Sequence, residues 1–212
     1  MGGCVPVARV SAAEDFIRAR LVLTALPFRP DIVLYQPHPH SGLIAFLAEA
    51  GRDEPPYWAY AWAGGAALAL YLRDNPQAVS GRTVLDFGAG SGLVGIAAAR
   101  AGAAAVMAFE PDAIGQIALG LNAKANGVAL IAAEAMAEAE IVLAGDVFYD
   151  AAVAARTLPV LKAHARRGAK VLVGDPFRRH LPRAEMTRIA TYDVPDMGGG
   201  PEVTAGIFVL QP

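Results

Sequence analysis

The sequence predicts an α/β protein built on a doubly wound, mostly parallel β-sheet. After residue 80, short apolar runs alternate with helical patterns of small apolar residues, the order expected when helices connect parallel strands. A glycine-rich turn follows the first of these runs, and the second run ends at an acid about 20 residues later. Both features are typical of a nucleotide site at the carboxyl ends of parallel strands.

The glycine-rich turn is the most informative segment of the chain. Residues 83–93 are Thr-Val-Leu-Asp-Phe-Gly-Ala-Gly-Ser-Gly-Leu, so Gly88, Gly90 and Gly92 follow a run that contains Asp86. Glycine lets the backbone adopt a positive φ and approach a ligand closely. The spacing D-x-G-x-G-x-G differs from the dinucleotide fingerprint G-x-G-x-x-G. It resembles the first motif of class I methyltransferases that use S-adenosylmethionine (SAM), and a purely structural turn is the alternative.

Before this turn, the sequence predicts three helices and a strand. Pro27 ends the first helix, residues 52–56 are the clearest linker, and Gly64-Gly65 is expected to break the last helix. We therefore divide the chain into an N-terminal extension, residues 1–54, and a main domain, residues 55–212. The predicted elements are a helix at 14–26, a strand at 31–36, a helix at 41–50 and a helix at 58–72.

After residue 80, the sequence predicts five strands, three helices and a terminal antiparallel pair. Residues 195–201 contain three consecutive glycines and are expected to form a mobile loop. The strands are predicted at 83–87, 104–109, 128–133 (a poor strand), 140–144 and 170–174, the helices at 92–101, 112–125 and 150–166, and the pair at 187–193 and 204–210.

Glu110 ends the second apolar run and is the predicted ribose ligand. A carboxylate at this place can accept both ribose hydroxyls of a bound nucleoside through two charge-assisted hydrogen bonds. The sequence Glu-Pro-Asp at 110–112 also suits the first turn of the next helix. Both roles can hold at once.

The composition excludes several classes of protein. The chain of 212 residues is 55% hydrophobic and carries 18 basic against 20 acidic residues, so no overall charge selects nucleic acid or a membrane. No apolar run is long enough to cross a membrane.

Cys4 is the single cysteine, which fits a reducing compartment, and Pro6 breaks the myristoylation pattern. Without a recognisable signal or transit segment, we expect a cytoplasmic protein, and we expect a monomer.

An acid and two aromatic residues follow the fourth predicted strand, in the sequence Gly-Asp-Val-Phe-Tyr-Asp at 145–150. Asp146 can pair with an ammonium group, and the Tyr149 ring can contact a cation, an interaction worth about 0.5–2 kcal/mol. We therefore predict that Asp146 and Tyr149 are catalytic and that the acceptor is an amine. Core packing for Phe148 and helix capping for Asp150 are equally consistent with this sequence.

Two tryptophans and two glycines precede the predicted sheet. Trp58 and Trp62 are four residues apart and are expected to share one face of a helix. We place Trp62 at the cofactor, with core packing as the alternative, and leave both roles open for Trp58. Gly64 and Gly65 are expected to let the chain pass close to the methionine part of SAM.

The combination of the glycine turn, Glu110 and Asp-x-x-Tyr resembles the seven-β-strand protein lysine methyltransferases. One branch is especially similar, the electron transfer flavoprotein β-subunit lysine methyltransferases, and the similarity covers nearly the whole chain. The matching segments are 38–43, 55–65, 72–76, 145–150 and 174–176.

This resemblance implies a Rossmann-like, seven-stranded sheet and methyl transfer from SAM to lysine ε-amines, with S-adenosylhomocysteine as the product and no metal. The implied substrate is the electron transfer flavoprotein β-subunit. Glu134 is our choice for the adenine contact, weighed equally against a solvated surface acid. Vertebrate relatives are mitochondrial, whereas the Ala- and Arg-rich composition here is typical of a bacterial protein. The predicted cofactor-binding residues are Trp62, Gly64, Asp86, Gly88, Gly90, Gly92, Glu110, Glu134 and Asp146.

Other functions stay open at this point. Methylation of ribosomal or other proteins would use the same donor half, and a non-catalytic SAM-binding module is a different class that a turnover assay would separate. Nucleic-acid binding is disfavoured because Arg166-Arg167 and Arg178-Arg179 are short pairs that we expect to be solvated. His38 and His40 have no acid or cysteine at metal-ligand spacing, so no metal site is expected.

Overall fold

A computed structural model describes residues 7–212, and it describes the side chains from residue 12 onward. Cys4 and Pro6, which carry the expectations about redox compartment and myristoylation, lie outside the described residues. The helices are α1 Val7–Arg20, α2 Leu43–Glu49, α3 Ala63–Asp74, α4 Leu93–Arg100, α5 Ala113–Ala125 and α6 Ala151–Arg166. The strands are β1 Val22–Leu26, β2 Arg29–Gln36, β3 Thr83–Phe87, β4 Ala105–Phe109, β5 Ile131–Ala132, β6 Ile141–Gly145, β7 Lys170–Asp175, β8 Met186–Pro195 and β9 Glu202–Leu210.

Seven of these strands form one sheet in the order β5-β4-β3-β6-β7-β9-β8. The strands from β5 to β7 run parallel, and β9 pairs antiparallel with both β7 and β8. The predicted fold class is therefore confirmed, including the terminal antiparallel pair. The strand order reverses at β3, which has β4 on one side and β6 on the other, and ligands of such sheets bind at this point.

Helices cover both faces of the sheet, and side-chain alternation along the strands builds two cores. Leu143 and Leu172 lie in the cluster that contains the apolar side chains of α3 and α4. Their neighbours Val142 and Val173 lie in the opposite cluster, with Leu161 of α6. This pattern explains why the strands after residue 80 are apolar almost throughout and could be predicted.

The N-terminal segment differs from the prediction. The helix predicted at 14–26 ends at Arg20, and residues 22–26 pair antiparallel with β2 as a hairpin. Apolar residues at 21, 23 and 26 fit a helical period, but Val22 and Thr24 are β-branched and favour a strand.

Asparagine side chains attach this hairpin to α5. Asn122 accepts a hydrogen bond from the Tyr35 N–H at 2.8 Å and donates one to the Ser91 carbonyl at 2.8 Å. Asn126 accepts from the Val33 N–H at 3.0 Å and donates to the Val33 carbonyl at 2.6 Å. Leu26, Ile32 and Leu34 of the hairpin lie in the same core cluster as the apolar side chains of α3 and α4. The division at residue 54 stays a prediction, since the two parts share one core.

The helix predicted at 58–72 begins only at Ala63. Tyr57–Ala59 form a separate 3₁₀ turn, so Trp58 and Trp62 do not share a helix face, and Trp58 is buried. Gly64 lies in the first turn of α3 and does not break it. Proline at 55 and 56 explains the delayed start, because it favours extended backbone before the turn.

Other local predictions have mixed outcomes. Phe148 is fully buried, and Asp150 caps α6 by accepting the N–H groups of residues 152 and 153, so the structural alternative is confirmed for both. The poor strand at 128–133 shortens to Ile131–Ala132. His164, near the end of α6, is buried with its Nε2 2.9 Å from the Ala135 carbonyl oxygen. Within residues 7–212, no helix has the length and apolarity to cross a bilayer.

Replacing Asn122 by alanine should destabilise the whole fold. The change leaves the partly buried Tyr35 N–H and the buried Ser91 carbonyl without their partners, at a cost of about 2–5 kcal/mol for the pair. Urea unfolding followed by circular dichroism measures the loss, and exposed Lys124→Ala on the same helix is the matched control. A loss no larger than that of the control would show that the hairpin is not docked through this side chain.

Candidate active site

The glycine turn lies at the carboxyl end of β3, where the strand order reverses. Gly88, Gly90 and Gly92 all have positive φ, at 72°, 53° and 82°. The N–H groups of residues 88 and 89 both donate to the Phe109 carbonyl at 2.9 Å, which joins the turn to the end of β4. Residues other than glycine rarely adopt a positive φ, so the turn itself requires the three glycines.

Asp86 lies behind this turn and is buried. Its carboxylate accepts the Gly95 N–H at 2.7 Å, which ties the first turns of α4 to β3. Burial raises the pKa of Asp86 to about 7, the Gly95 hydrogen bond opposes this rise, and the negative charge of Glu110 adds to it. The geometry gives Asp86 a structural contact, and its predicted part in cofactor binding stays a prediction.

Glu110 joins the glycine turn to the N-terminus of α5. One carboxylate oxygen accepts the Gly90 N–H at 2.7 Å, and the other accepts the Asp112 N–H at 2.8 Å. Burial raises the pKa of Glu110, and the two backbone hydrogen bonds oppose the rise. Each oxygen keeps a second lone pair, so this carboxylate has the capacity to accept two hydroxyl groups side by side.

The first turn of α3 lies directly against the ends of β6 and β7. A Cβ at Gly64 would collide with the Gly174 carbonyl oxygen, and a Cβ at Gly145 would be 2.9 Å from the Gly65 Cα. The close approach expected at Gly64 and Gly65 therefore exists, but the backbone they approach belongs to the sheet. A contact of Gly64 with SAM stays a prediction.

Asp146 follows β6 with a positive φ of 56° and is buried. One carboxylate oxygen accepts the N–H groups of Gly64 and Gly65 at the start of α3. The other accepts Nε and Nη2 of Arg178 at 2.9 and 2.7 Å. Burial raises the pKa of Asp146, and the charge of Arg178 opposes the rise.

The expectation that Arg178 is solvated is wrong, and Arg178 is a site residue that sequence reasoning missed. Arg179 is exposed as expected, but the side chain of Arg178 is only 25% exposed and forms an ion pair with Asp146. The available signal was its position, three residues after Asp175, an acid that directly follows the strand predicted at 170–174. Parallel strands bring such positions to the same edge.

An aromatic surface lies beside this ion pair; it is formed by Tyr57, Tyr60, Trp62 and Tyr149. The Tyr57 ring centroid is 4.8 Å from that of Tyr149 and 5.9 Å from that of Trp62, and the Tyr60 and Trp62 centroids are 5.8 Å apart. Tyr57 is 42% and Tyr149 39% exposed. Burial raises the pKa of Tyr149, so its hydroxyl stays protonated at neutral pH. Tyr57 and Tyr60 were missed, although the aromatic run at 57–62 signals them.

The remaining predicted positions lie around this edge. Asp196, in the loop predicted to be mobile, accepts the Ala63 N–H at 3.2 Å, and so the loop is attached to the start of α3. Glu134 is exposed and follows β5, whose carboxyl end lies on the same edge; its adenine contact stays a prediction. In the part of the chain that the structure describes, no three His, Cys, Asp or Glu side chains come close enough to hold a metal.

Comparison with known proteins identifies relatives of this arrangement. The family model described as ribosomal protein L11 methyltransferase (PrmA) matches residues 66–165. The electron transfer flavoprotein β-subunit lysine methyltransferase of Danio rerio is 39% identical over 153 residues, which cover 66% of this chain and 59% of that protein. The Xenopus laevis protein of the same name is 36% identical over 196 residues, covering 86% of this chain and 79% of that protein.

The chain spans about three-fifths of the length of the Danio rerio relative. Among solved structures, the ribosomal protein L11 methylase of Lactobacillus delbrueckii subsp. bulgaricus has a TM-score of 0.51 at 18% identity and covers 68% of this chain and 77% of its own. This likeness supports the fold.

Replacing Asp86 by asparagine should change how stability depends on pH. An unfolded aspartate ionises near its ordinary pKa of 3.8, whereas Asp86 in the folded protein ionises near 7. Between these values the folded protein holds a proton that the unfolded chain has lost, so this group lowers stability as pH rises from about 4 to 7.

The free energy of unfolding of the wild-type protein, minus that of Asp86→Asn, should therefore fall by several kcal/mol over this range. Urea unfolding at intervals of one pH unit measures the difference. A difference that stays flat with pH would show that Asp86 is ionised in the folded protein at pH 5.

Proposed function

Because the chain belongs to the family of electron transfer flavoprotein β-subunit lysine methyltransferases, we propose that it transfers methyl groups from SAM to lysine ε-amines of a protein. The observation that carries the proposal is the aromatic surface of Tyr57, Trp62 and Tyr149 at the same sheet edge as the glycine turn and Glu110. A carboxylate suited to a ribose and a ring surface suited to a cation are thereby brought together.

The cofactor half of the site fits SAM. The glycine turn exposes backbone at the carboxyl end of β3, and the Glu110 carboxylate has one lone pair on each oxygen to accept the two ribose hydroxyls. SAM, when bound, supplies an electrophilic methyl group, so that the amine nitrogen forms a bond to carbon as the carbon–sulfur bond breaks and S-adenosylhomocysteine leaves. Asp86 and Gly88 support the turn, and Trp62, as part of the aromatic surface, is the proposed aromatic contact of the cofactor.

The acceptor half must bind a lysine and help it to lose a proton. A protonated amine has no lone pair, and an ordinary lysine with a pKa of about 10.4 is charged at neutral pH. Contact with the rings of Tyr57 and Tyr149 removes water from the ammonium group, which lowers its pKa. The Tyr149 hydroxyl can hold the amine by a hydrogen bond while water takes the proton. Orientation of the amine then contributes most of the rate increase.

The proposed substrate is the β-subunit of electron transfer flavoprotein, after the names of the relatives. A cytoplasmic location, a bacterial origin, a monomeric state and the independence of residues 55–212 as a methyltransferase domain remain parts of this proposal. The relatives with this name in Danio rerio and Xenopus laevis are animal proteins.

Methylation of a ribosomal protein is the second candidate. The family model and the solved structure both carry the name of ribosomal protein L11 methylation. The model matches residues 66–165, which hold the glycine turn and Glu110, but it includes neither the aromatic run at 57–62 nor Arg178. The matched part also holds Asp146 and Tyr149, so it covers the cofactor half and part of the acceptor half.

Intact-mass spectrometry of electron transfer flavoprotein incubated with the protein and SAM tests the proposal. We expect steps of about 14 Da on the β-subunit. Tyr149→Phe should slow them by about tenfold or more while leaving the SAM dissociation constant unchanged, because its hydroxyl contacts the amine only. Tyr192→Phe on the edge strand β8 is the matched control.

Two outcomes would contradict this proposal in different ways. Intact SAM binding without any mass step would move the substrate to another protein, with purified ribosomal proteins tested next. A Tyr149→Phe variant that loses SAM affinity in proportion to activity would place the tyrosine in the cofactor half.

Removing the Glu110 carboxylate should weaken SAM binding first. Glu110→Ala deletes both proposed ribose hydrogen bonds, and we expect the SAM dissociation constant to rise by about 10–100-fold in calorimetry. Glu138→Ala, at an exposed acid, is the control. Unchanged affinity in Glu110→Ala would limit Glu110 to its structural bonds with Gly90 and Asp112.

A further inference from the structure

The Asp146 carboxylate is saturated in this structure. A carboxylate offers about four acceptor positions, and Asp146 uses all four, two for the N–H groups of Gly64 and Gly65 and two for Arg178. A substrate ammonium can therefore reach Asp146 only if one of these donors leaves. The two backbone donors belong to the first turn of α3, which is fixed against the sheet, so Arg178 is the donor that can move.

Arg178 has the properties of a movable side chain. It lies in the irregular segment between β7 and β8, and its guanidinium carbon is 5.9 Å from the Trp62 ring centroid, next to the aromatic surface. The preceding Phe177 has a φ of 62°, which is strained for a bulky residue. Phe177 makes an edge-to-face contact with Phe208, so its ring is packed against β9 while the Arg178 side chain extends toward Asp146.

A second acceptor lies beside Arg178. Asp175 is fully buried, and one of its carboxylate oxygens accepts the backbone N–H of Arg178 at 2.6 Å. Its other oxygen is buried and has no hydrogen-bond partner among the described residues. Burial raises the pKa of Asp175 to about 6, and the charge of Arg178 opposes this rise. An unsatisfied buried acceptor is costly, and a guanidinium would satisfy it.

We infer that Arg178 occupies the place of the substrate ammonium beside Asp146, yields it when the lysine enters, and then pairs with Asp175. This inference rests on the proposed function only for the identity of the incoming cation. The exchange keeps one cation on Asp146 while the lysine enters, so the buried carboxylate stays compensated until the bound amine gives up its proton. Arg178 thereby determines specificity, because only a primary ammonium that can replace its hydrogen bonds displaces it.

Chemical rescue of an Arg178 variant tests the exchange without any protein substrate. Arg178→Met should lower the Tm by roughly 10 °C at pH 8, because it leaves Asp146 without its cation. Addition of n-butylammonium chloride, which reproduces the end of a lysine side chain, should restore several degrees. Tetramethylammonium chloride at the same concentration donates no hydrogen bond and should not. Arg178→Gln provides a second variant in case the methionine variant does not fold.

The controls separate a specific site from a salt effect. Arg179→Met, at the exposed neighbour, should keep the wild-type Tm, and the double variant Arg178→Met/Asp146→Asn should lose the response to n-butylammonium. An equal response of Arg178→Met to both salts, or an n-butylammonium response that persists without the Asp146 carboxylate, would overturn the inference.

Kinetics with electron transfer flavoprotein give a readout that a purely structural arginine would not move. Arg178→Met should lower the KM for the protein substrate by about tenfold, since no internal cation has to be displaced. In an Asp146→Asn background the same change should leave KM unaffected. A raised KM in Arg178→Met would show that the arginine helps to bind the substrate and would overturn the exchange. Salt-specific rescue without methylation by the wild type would refute the proposed substrate while supporting the exchange.

Discussion

The contact between the first turn of α3 and the ends of β6 and β7 determines where Asp146 and Arg178 lie. It is possible because Gly64, Gly145 and Gly174 have no side chains where the backbones meet. The N-terminus of a helix carries unpaired N–H groups and a partial positive charge. Placed over the end of β6, these groups bind the buried carboxylate of Asp146, and that carboxylate in turn requires the cation of Arg178.

Acids at strand ends serve a common structural purpose in this protein. Asp86, Glu110 and Asp146 each end or follow a parallel strand, and each accepts N–H groups from a neighbouring turn or helix. Burial raises the pKa of all three, so the fold bears a cost for keeping them there. Such a cost is typical of a functional site, because a purely structural role could be filled by a neutral side chain.

Prediction from sequence succeeded where local periodicity and tertiary structure agree. The strands after residue 80 are buried on both faces, so their apolar runs were clear, and the glycine turn has the positive φ values that its spacing indicated. The strand predicted at 31–36 is confirmed as β2, but its partner β1 was missed because the apolar spacing there also fits a helix. The pair of Arg178 and Asp146 was missed because the two residues are 32 positions apart and meet only at the shared edge of the sheet, which no local periodicity encodes.

The exposure of the aromatic surface is consistent with the proposed acceptor, a lysine carried by a protein. Tyr57 and Tyr149 are about two-fifths exposed, so these rings alone cover an ammonium group only in part. A lysine that stays hydrated keeps its high pKa and remains protonated. The rest of the desolvation must come from the surface of the protein that carries the lysine, once it rests against the rings. Free lysine lacks that surface and would remain charged, so in this proposal the partner protein completes the environment in which its own amine becomes a nucleophile.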